Sequence, residues 1–290
     1  MDIVGNKKAL SLLDKILEKG KISNAYLFSG PEKVGKFTVA VDFAQKLIGN
    51  SSVINPDLII VRPVVEEKKG IKKKLNIKIE EIRGLERQLS LTSTGGKYKV
   101  VIIDEAEKMN KAAQNSLLKT LEEPNSQVVL ILVTSNERKL LATILSRCFR
   151  IKFSLVNDAA ISSLTASGEN RDEIIFWSLG RPGMTIEMQN DVAELEFRRE
   201  ALSELKSVVD GDVATKFALA EAMSKDINLT VRKFNFWMPV LRECLVGREM
   251  VKMTKAKALA MIEAMGEGLR LIGDTNSNAR LILENIFLNI

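Results

Sequence analysis

Short, almost continuously apolar runs recur in the first half of the chain, and stretches with helical spacing separate them. Such runs are typical of parallel β-strands whose two faces are both covered by helices. The runs that predict strands are Ala25–Ser29, Asp57–Arg62, Lys99–Ile103, Gln127–Thr134 and Arg150–Phe153. This alternation predicts an α/β fold with a parallel sheet.

The clearest helical pattern runs from Lys111 to Glu123, where apolar residues share one stripe, and Pro124 is expected to end the helix. After about residue 155 strand patterns stop, and helical patterns continue to the end of the sequence. We therefore predict three domains. They are an α/β domain at 1–156, a small helical lid at 157–208 and an all-α C-terminal domain at 209–290.

Composition narrows the classes of function. The chain has no histidine and only two cysteines, Cys148 and Cys244, which excludes zinc sites built from Cys and His clusters and catalysis by histidine. No apolar run reaches the roughly 18 residues that a membrane span needs. The N-terminal segment has the pattern of an amphipathic helix and lacks the apolar core of a signal peptide. We expect a cytoplasmic protein with no membrane partner.

The segment Gly30–Lys36 (GPEKVGK) follows the first predicted strand and precedes a helical pattern. In this context a glycine-lysine motif is typical of a phosphate-binding P-loop. Gly30 and Gly35 let the backbone curl so that its N–H groups point at phosphate oxygens, and Lys36 would reach the outer phosphates. The alternative is an ordinary strand-to-helix turn with an incidental lysine, which the flanking strand and helix disfavour.

The residue after Lys36 departs from the P-loop motif. A P-loop normally has Ser or Thr there, because its hydroxyl binds Mg²⁺, whereas this chain has Phe37. Thr38 comes one position later, and on a helix that rotates its side chain by about 100°, so it is a poor substitute. We expect the phosphate cradle to survive and the hydrolytic metal site to be lost. ATP and Mg²⁺ would then bind weakly, if they bind, and without hydrolysis.

Two acids, Asp104 and Glu105, directly follow the apolar run KVVII and form a Walker B pattern. In a nucleotide site Asp104 would hold the Mg²⁺ shell and Glu105 would orient the attacking water. A strand can also meet solvent through two carboxylates, so this motif is weak alone and gains weight from the P-loop upstream.

A lysine-rich segment lies between Lys68 and Lys78. One interpretation is the solvated tip of a hairpin, and the other is a loop that contacts DNA phosphates. No aromatic residue is interleaved for base stacking, which favours the hairpin tip.

Further segments carry a family resemblance. They are Asn24–Pro31 (NAYLFSGP), Asp104–Asn110 (DEAEKMN), Asn115–Pro124 (NSLLKTLEEP) and Ser146–Cys148 (SRC). Taken in order, they make the chain similar to the bacterial sliding-clamp loaders of the AAA+ class, strongly over the first 155 residues and weakly beyond them. Within that family the chain resembles the delta-prime type of subunit of DNA polymerase III, which is the non-hydrolysing member of the loader ring.

The resemblance implies roles for residues outside the P-loop. Arg147 of the SRC triplet would be an arginine finger, offered in trans to ATP on a neighbouring subunit, where a guanidinium offsets developing charge. Ser135 falls at the sensor-1 position, and Gly183 takes the place of the sensor-2 arginine of hydrolysing relatives. Pro182 is expected to bar regular helix at that point. The four-cysteine zinc module of many relatives is absent, so no metal ligand is carried over.

The function implied by the resemblance is that of a non-hydrolysing stator. Its C-terminal helical domain would hold it in a hetero-oligomeric ring with gamma/tau and delta subunits, and the complex would load a sliding clamp on primed DNA. Its own vestigial nucleotide site would consist of Gly30, Gly35, Lys36, Thr38, Asp104, Glu105 and Ser135. The alternative is an ATP-hydrolysing, gamma/tau-like motor subunit, which the intact acids favour and Phe37 and Gly183 oppose.

Overall fold

The protein is seen in a computed structural model that describes residues 3–49, 55–68, 71–89, 97–123, 127–165, 167–247, 250–274 and 278–288. The chain divides into two compact units, Met1–Gln189 and Asn190–Ile290. Within the described ranges, no helix has the length and apolarity that crossing a membrane requires.

A parallel sheet forms the centre of the first unit. Its strands are β1 (Ala25–Ser29), β2 (Leu58–Val61), β5 (Lys99–Ile103), β6 (Val128–Thr134) and β7 (Phe149–Lys152). Strands β3 (Val65–Lys68) and β4 (Ile71–Lys74) form a separate antiparallel hairpin. The order in the sheet is β2-β5-β6-β1-β7, which places β1 between β6 and β7.

Helices surround this sheet. In the first unit they are α1 (Lys7–Lys19), α2 (Lys36–Ile48), α3 (Ile79–Leu89), α4 (Lys111–Glu122), α5 (Ala142–Leu145), α6 (Asp158–Leu164), α7 (Arg171–Ser178) and α8 (Pro182–Asn190). Helices α1 and α2 cover one face of the sheet, whereas α3, α4 and α5 cover the other.

The two faces are both buried because side chains alternate between them along each strand. On β1, Tyr26 and Phe28 belong to the core beneath α1 and α2, whereas Leu27 belongs to the core beneath α3, α4 and α5. The ring of Tyr26 meets Phe43 of α2 edge-on, with ring centroids 5.3 Å apart. Burial on both faces explains why the strand sequences are continuously apolar.

The described residues of the second unit form helices and short connections, with no strand among them. Its helices are α9 (Val192–Asp210), α10 (Val213–Ser224), α11 (Ile227–Leu245), α12 (Lys255–Asp274) and α13 (Ala279–Leu288). Trp237 of α11 lies at its centre, fully buried, with its ring centroid 5.6 Å from that of Phe234 and 6.3 Å from that of Phe287. Its indole N–H donates to the carbonyl oxygen of Ala201 at 2.7 Å, which joins α11 to α9.

The predicted α/β organisation with a parallel sheet is confirmed, and the strands differ from the predicted bounds by at most one residue at either end. In the lysine-rich segment, Lys68 ends β3, Lys72, Lys73 and Lys74 lie on β4, and Lys78 lies directly before α3. Residues 69 and 70 lie outside the described residues, as does Pro124. The expectation that Pro182 bars helix is wrong, since Pro182 is the first residue of α8. Proline suits a first helical position, where its missing N–H would have had no helical partner.

The predicted boundary between residues 208 and 209 lies inside α9. Because Trp237 of α11 packs on α9, that helix belongs to the second unit, which begins at Asn190. The structure therefore does not divide the chain at the predicted position. The wider division into 1–156, 157–208 and 209–290 stays a prediction.

Candidate functional site

The carboxyl ends of β1, β5 and β6 meet at a cleft of about 290 Å³ in the first unit. Ligands of parallel α/β sheets bind at this edge. The predicted residues that line the cleft are Gly35, Lys36, Thr38, Asp104, Glu105 and Ser135. Phe37 and Gly183 line it as well. The structure thus brings together six of the seven predicted nucleotide-site residues, whereas Gly30 is not among the residues that line the cleft. Their role in binding a nucleotide stays a prediction.

Gly30 and Gly35 shape the P-loop. Gly30 has a φ of +146°, and a Cβ at this position would lie 2.2 Å from the carbonyl oxygen of Phe153. Gly35 has a φ of +91° and immediately precedes α2. Both conformations favour glycine, so both glycines are required by the path of the backbone.

Lys36 is folded back onto its own loop. Its ammonium donates to the carbonyl oxygens of Gly30, at 2.7 Å, and Pro31. Burial lowers the pKa of Lys36, and the nearby Glu107, Glu32 and Asp104 carboxylates partly offset that effect. Lys36 is therefore a buried cation in a cleft that is also lined by four acids and by Lys33.

Asp104 directly follows β5, next to the end of the paired strand β2. Its backbone N–H donates to the carbonyl oxygen of Val61 at 2.9 Å, which continues the β2–β5 pairing past the last residue of β5. The N–H of Glu105 donates to Asp104 Oδ1 at 3.1 Å, and Glu105 has a φ of +50°, in the left-handed region. This turn directs the chain away from the strand immediately after the two Walker B acids.

Phe37 has a charged partner that the sequence did not reveal. The guanidinium carbon of Arg62 lies 3.8 Å from the centroid of the Phe37 ring. The same side chain places Nε 3.4 Å from Asp104 Oδ2. Arg62 directly follows β2, and no motif in the sequence pointed to it.

Ser135, which directly follows β6, is hydrogen-bonded to Glu107. The backbone N–H of Ser135 donates to Glu107 Oε1 at 3.0 Å, and the Ser135 hydroxyl donates to the same oxygen. Burial alone would raise the pKa of Glu107, but hydrogen bonds from Ser135 and Thr134 outweigh burial and hold that pKa below its ordinary value of 4.5. Sequence reasoning missed Glu107, whose only signal was its place two residues after the Walker B acids.

The start of α8 closes the cleft over the P-loop. The N–H of Gly183 donates to the carbonyl oxygen of Lys33 at 2.8 Å, and a Cβ on Gly183 would lie 3.0 Å from that oxygen. The ammonium of Lys33 is also paired with Glu187 of α8. Gly183 is thus a close backbone contact of the P-loop, and its assignment to the sensor-2 position stays a prediction.

Arg147 lies apart from the residues that line the cleft. One guanidinium nitrogen of Arg147 donates to the carbonyl oxygen of Thr143 at 3.1 Å, and another donates to Glu122 Oε1 at 2.8 Å. The Arg147 side chain is 36% exposed. Glu122 is the last residue of α4, so the NSLLKTLEEP and SRC segments contact each other.

Gln114 of α4 connects the turn after the Walker B acids to the segment before Arg147. Its buried amide nitrogen donates to the carbonyl oxygens of Met109 and Lys139, both at 3.1 Å. Its amide oxygen accepts the N–H of Leu141 at 2.8 Å. A buried glutamine with these bonds fixes α4 against both segments.

The residues at the metal position of a P-loop site do not fit a hydrated Mg²⁺ ion. Phe37 provides no oxygen ligand, and the carboxylate of Asp104 is paired with a guanidinium instead. Among the described residues there is no group of three or more His, Cys, Asp or Glu side chains that could hold a metal ion. The cleft therefore keeps a phosphate loop but not a metal centre.

The chain is similar to subunits of DNA polymerase III. It is 34% identical to the delta-prime subunit of Bacillus subtilis over 170 residues, which cover 53% of this chain and 49% of that protein. It is 33% identical to the tau subunit of the same organism over 167 residues, which cover 55% of this chain and 30% of that protein. The match thus spans half or less of the length of these curated relatives.

A solved structure extends the likeness over the whole fold. A gamma subunit-related protein of DNA polymerase III from Thermotoga maritima superposes with a TM-score of 0.57 and 19% identity, covering 96% of this chain and 97% of that one. The fold is that of an AAA+ α/β unit followed by helices, as predicted. The family model described as "DNA polymerase III, delta subunit" matches residues 5–157, just over half of this chain. The chain therefore belongs to the family of DNA polymerase III clamp-loader subunits.

Proposed function

We propose that this chain is a delta-prime-like, non-hydrolysing stator of a clamp loader. It would sit in a hetero-oligomeric ring with gamma/tau and delta subunits in the cytoplasm and supply Arg147 in trans to ATP on a neighbouring motor subunit. The complex would place a sliding clamp on primed DNA during replication. The observation that carries the proposal is the contrast between an altered metal position at Phe37 and an exposed arginine outside the cleft.

The chain's own cleft is poorly equipped for hydrolysis. Hydrolysing P-loop enzymes position Mg²⁺ through a hydroxyl and an acid, and that ion neutralises charge developing on the phosphates. Here the hydroxyl position holds Phe37, and Arg62 is paired with the acid. Lys36, Asp104, Glu105 and Ser135 remain in the cleft as parts of a vestigial nucleotide site.

Arg147 is suited to act outside its own cleft. A guanidinium has five N–H donors, and the two hydrogen bonds to Thr143 and Glu122 leave donors that can face a phosphate. Its position beside α4 is fixed by short contacts, and its side chain is partly open to solvent. These features support an arginine finger, whose charge stabilises the transition state of phosphoryl transfer.

A gamma/tau-like motor subunit is the second candidate. Lys36, both Walker B acids and Ser135 lie in one cleft, and tau is among the similar proteins. An active motor would hydrolyse ATP on its own in the presence of Mg²⁺. That property separates the two candidates.

The test is to measure ATP hydrolysis by the purified chain, by a motor subunit from the same organism, and by the assembled complex with primed DNA and clamp. We expect no turnover by the chain alone. We also expect Arg147→Ala to reduce the rate of the complex by at least about tenfold, since arginine fingers contribute larger factors in related reactions. Arg138→Ala, which removes another exposed arginine of the first unit, is the matched control and should leave the rate unchanged.

Magnesium-dependent turnover by the chain alone would favour the motor subunit and overturn the stator role. A complex whose rate is unaffected by Arg147→Ala, with assembly confirmed by size-exclusion chromatography, would remove the arginine-finger assignment.

A further inference from the structure

Arg62 lies between the two residues that in a working P-loop site would face Mg²⁺. Its guanidinium carbon is 3.8 Å from the Phe37 ring centroid, and its Nε is 3.4 Å from Asp104 Oδ2. We call Phe37, Arg62 and Asp104 the Arg62 cluster. It joins the start of α2 to the ends of β2 and β5.

The sheet register brings the cluster together. Val61 pairs with Ile103 in the parallel β2–β5 ladder, and the Asp104 N–H donates to the Val61 carbonyl at 2.9 Å. The next residues along both strands are therefore neighbours at the carboxyl edge of the sheet. Phe37, in the first turn of α2, provides the surface on which the guanidinium lies.

A guanidinium suits this place better than an ammonium would. Its planar face stacks on an aromatic ring, while its edge presents N–H groups to a carboxylate. With Ser or Thr at position 37 the ring would be missing, and a hydrated metal ion would have a hydroxyl ligand instead. Phe37 and Arg62 are thus complementary: Phe37 offers no metal ligand, and Arg62 supplies a cation to the Asp104 carboxylate.

We propose that Arg62 takes the place of Mg²⁺ in this chain, neutralising Asp104 and excluding a divalent cation from the cleft. A positive side chain beside the carboxylate repels a second cation, and the repulsion between unit charges a few ångströms apart is strong near a protein surface. The proposal concerns the isolated chain and does not depend on the role of Arg147.

The residues that line the cleft carry a net negative charge, which disfavours the binding of a nucleotide without a metal ion. Besides Asp104, the lining residues include three acids, Glu32, Glu105 and Glu107, whereas its lysines are Lys33 and Lys36. Lys33 is paired with Glu187, and Lys36 donates to carbonyl oxygens of its own loop. A triphosphate that arrives without a divalent cation therefore meets a surplus of like charge, so excluding the metal also disfavours ATP.

The experiment is to titrate the full chain with ATP by calorimetry, in Mg²⁺ and separately in EDTA, for wild type, Phe37→Thr, Arg62→Gln and the double variant. We expect wild type to bind weakly and equally in both conditions. The double variant restores a hydroxyl and frees Asp104 from the guanidinium, so it should bind ATP at least about tenfold more tightly in Mg²⁺ than wild type does. In EDTA this gain should vanish. Each single variant should gain less than the double.

Two further variants distinguish the effect of the Arg62 charge from a general effect of replacing an arginine. Arg62→Lys keeps the positive charge and should bind Mg²⁺ and ATP no better than wild type. Arg83→Gln, which removes an exposed arginine from α3, is the matched control and should also behave as wild type. Circular dichroism confirms that each variant is folded before it is compared.

Either of two results would overturn the proposal. One is a wild-type chain that binds ATP as tightly as the double variant and loses that binding in EDTA. The other is a folded double variant with no Mg²⁺-dependent gain. Neither bears on Arg147, which is tested by the rate of the assembled complex.

Discussion

Glu122 sets the direction of the Arg147 side chain. The 2.8 Å bond between the carboxylate and the guanidinium, together with the bond to the Thr143 carbonyl, fixes two of the arginine's nitrogens. Both side chains are partly exposed, so the pair contributes little to stability. Its value would lie in orienting the remaining N–H donors, since holding a catalytic group in position lowers the entropy lost in reaching the transition state.

Glu122→Gln should therefore lower the turnover number of the complex without a matching change in KM for ATP. We expect a loss of up to about fivefold, which corresponds to the roughly 1 kcal/mol that exposed ion pairs reach. The measurement is steady-state ATP hydrolysis by the assembled complex at several ATP concentrations. Glu123→Gln changes the adjacent exposed glutamate in the same way and serves as the control.

An unchanged turnover number in Glu122→Gln, alongside a slow Arg147→Ala complex, would show that Arg147 needs no help from Glu122. A faster Glu122→Gln complex would instead show that the ion pair restrains the arginine in a resting position.

At the scale of elements, the end of β5 is tied to the end of β6 through a 3-10 turn, Ala106–Lys108. Glu107 in this turn accepts both the N–H and the hydroxyl of Ser135, which follows β6. Hydrogen bonds to a carboxylate favour its charged form. The bonds from Ser135 therefore both lower the pKa of Glu107 and connect the end of β5 to the end of β6.

Because Glu107 has a lower pKa in the folded chain than the ordinary 4.5, its charge stabilises the fold above about pH 4.5. That contribution is lost as the pH falls through the folded pKa. Glu107→Gln should lower the free energy of unfolding by about 1 kcal/mol at pH 7, since a bond to a charged acceptor is stronger than one to a neutral acceptor. The difference from wild type should shrink towards pH 3.

Urea unfolding at pH 7, 5 and 3 measures this difference, with Glu18→Gln on α1 as a control for the loss of an exposed carboxylate. A difference between wild type and Glu107→Gln that stays constant, or grows, as the pH falls would contradict the assignment.

The sequence predicted those parts of the site that depend on local order along the chain. Gly30 directly follows β1, Gly35 and Lys36 lie at the start of α2, and the Walker B acids follow a strand that is buried throughout, so their place at the sheet edge was foreseeable. Arg62, Glu107 and Glu122 act through contacts with residues far along the chain. Those contacts depend on strand register and helix packing, which a single sequence does not specify.

At the scale of the whole molecule, the chain is two compact units that differ in how their cores are built. The first has a buried sheet between helices, whereas the second is a helical core around Trp237. The division into units at Gln189 and Asn190 depends on which helices α9 packs against, and the amphipathic pattern of α9 does not reveal those partners. Packing partners depend on the three-dimensional arrangement of helices, and periodicity reports only the buried stripe.

The second unit has the properties of an independently folding segment. Apolar side chains from α9, α11, α12 and α13 are fully buried, including Leu205, Trp237, Met261 and Phe287. Asp191 caps the start of α9 by accepting the N–H of Ala193 at 3.0 Å, so a fragment that begins at Asn190 keeps the cap. A buried core and satisfied helix ends are what a segment of this length needs to fold alone.

We therefore expect a fragment of residues 190–290 to be helical and to unfold in a single cooperative transition in urea. Circular dichroism and Trp237 fluorescence would monitor this transition.

Trp237→Phe tests the core of this fragment, because the substitution removes the indole bond to the Ala201 carbonyl. Unfolding of this variant would be monitored by circular dichroism alone. This change should lower the free energy of unfolding by about 1 to 3 kcal/mol, from the lost hydrogen bond and the space left by the smaller ring. Leu259→Ala, at a side chain that is 48% exposed, should change it by less than about 0.5 kcal/mol. A fragment that unfolds gradually, or one that responds equally to both substitutions, would show that residues 190–290 do not form a separate core.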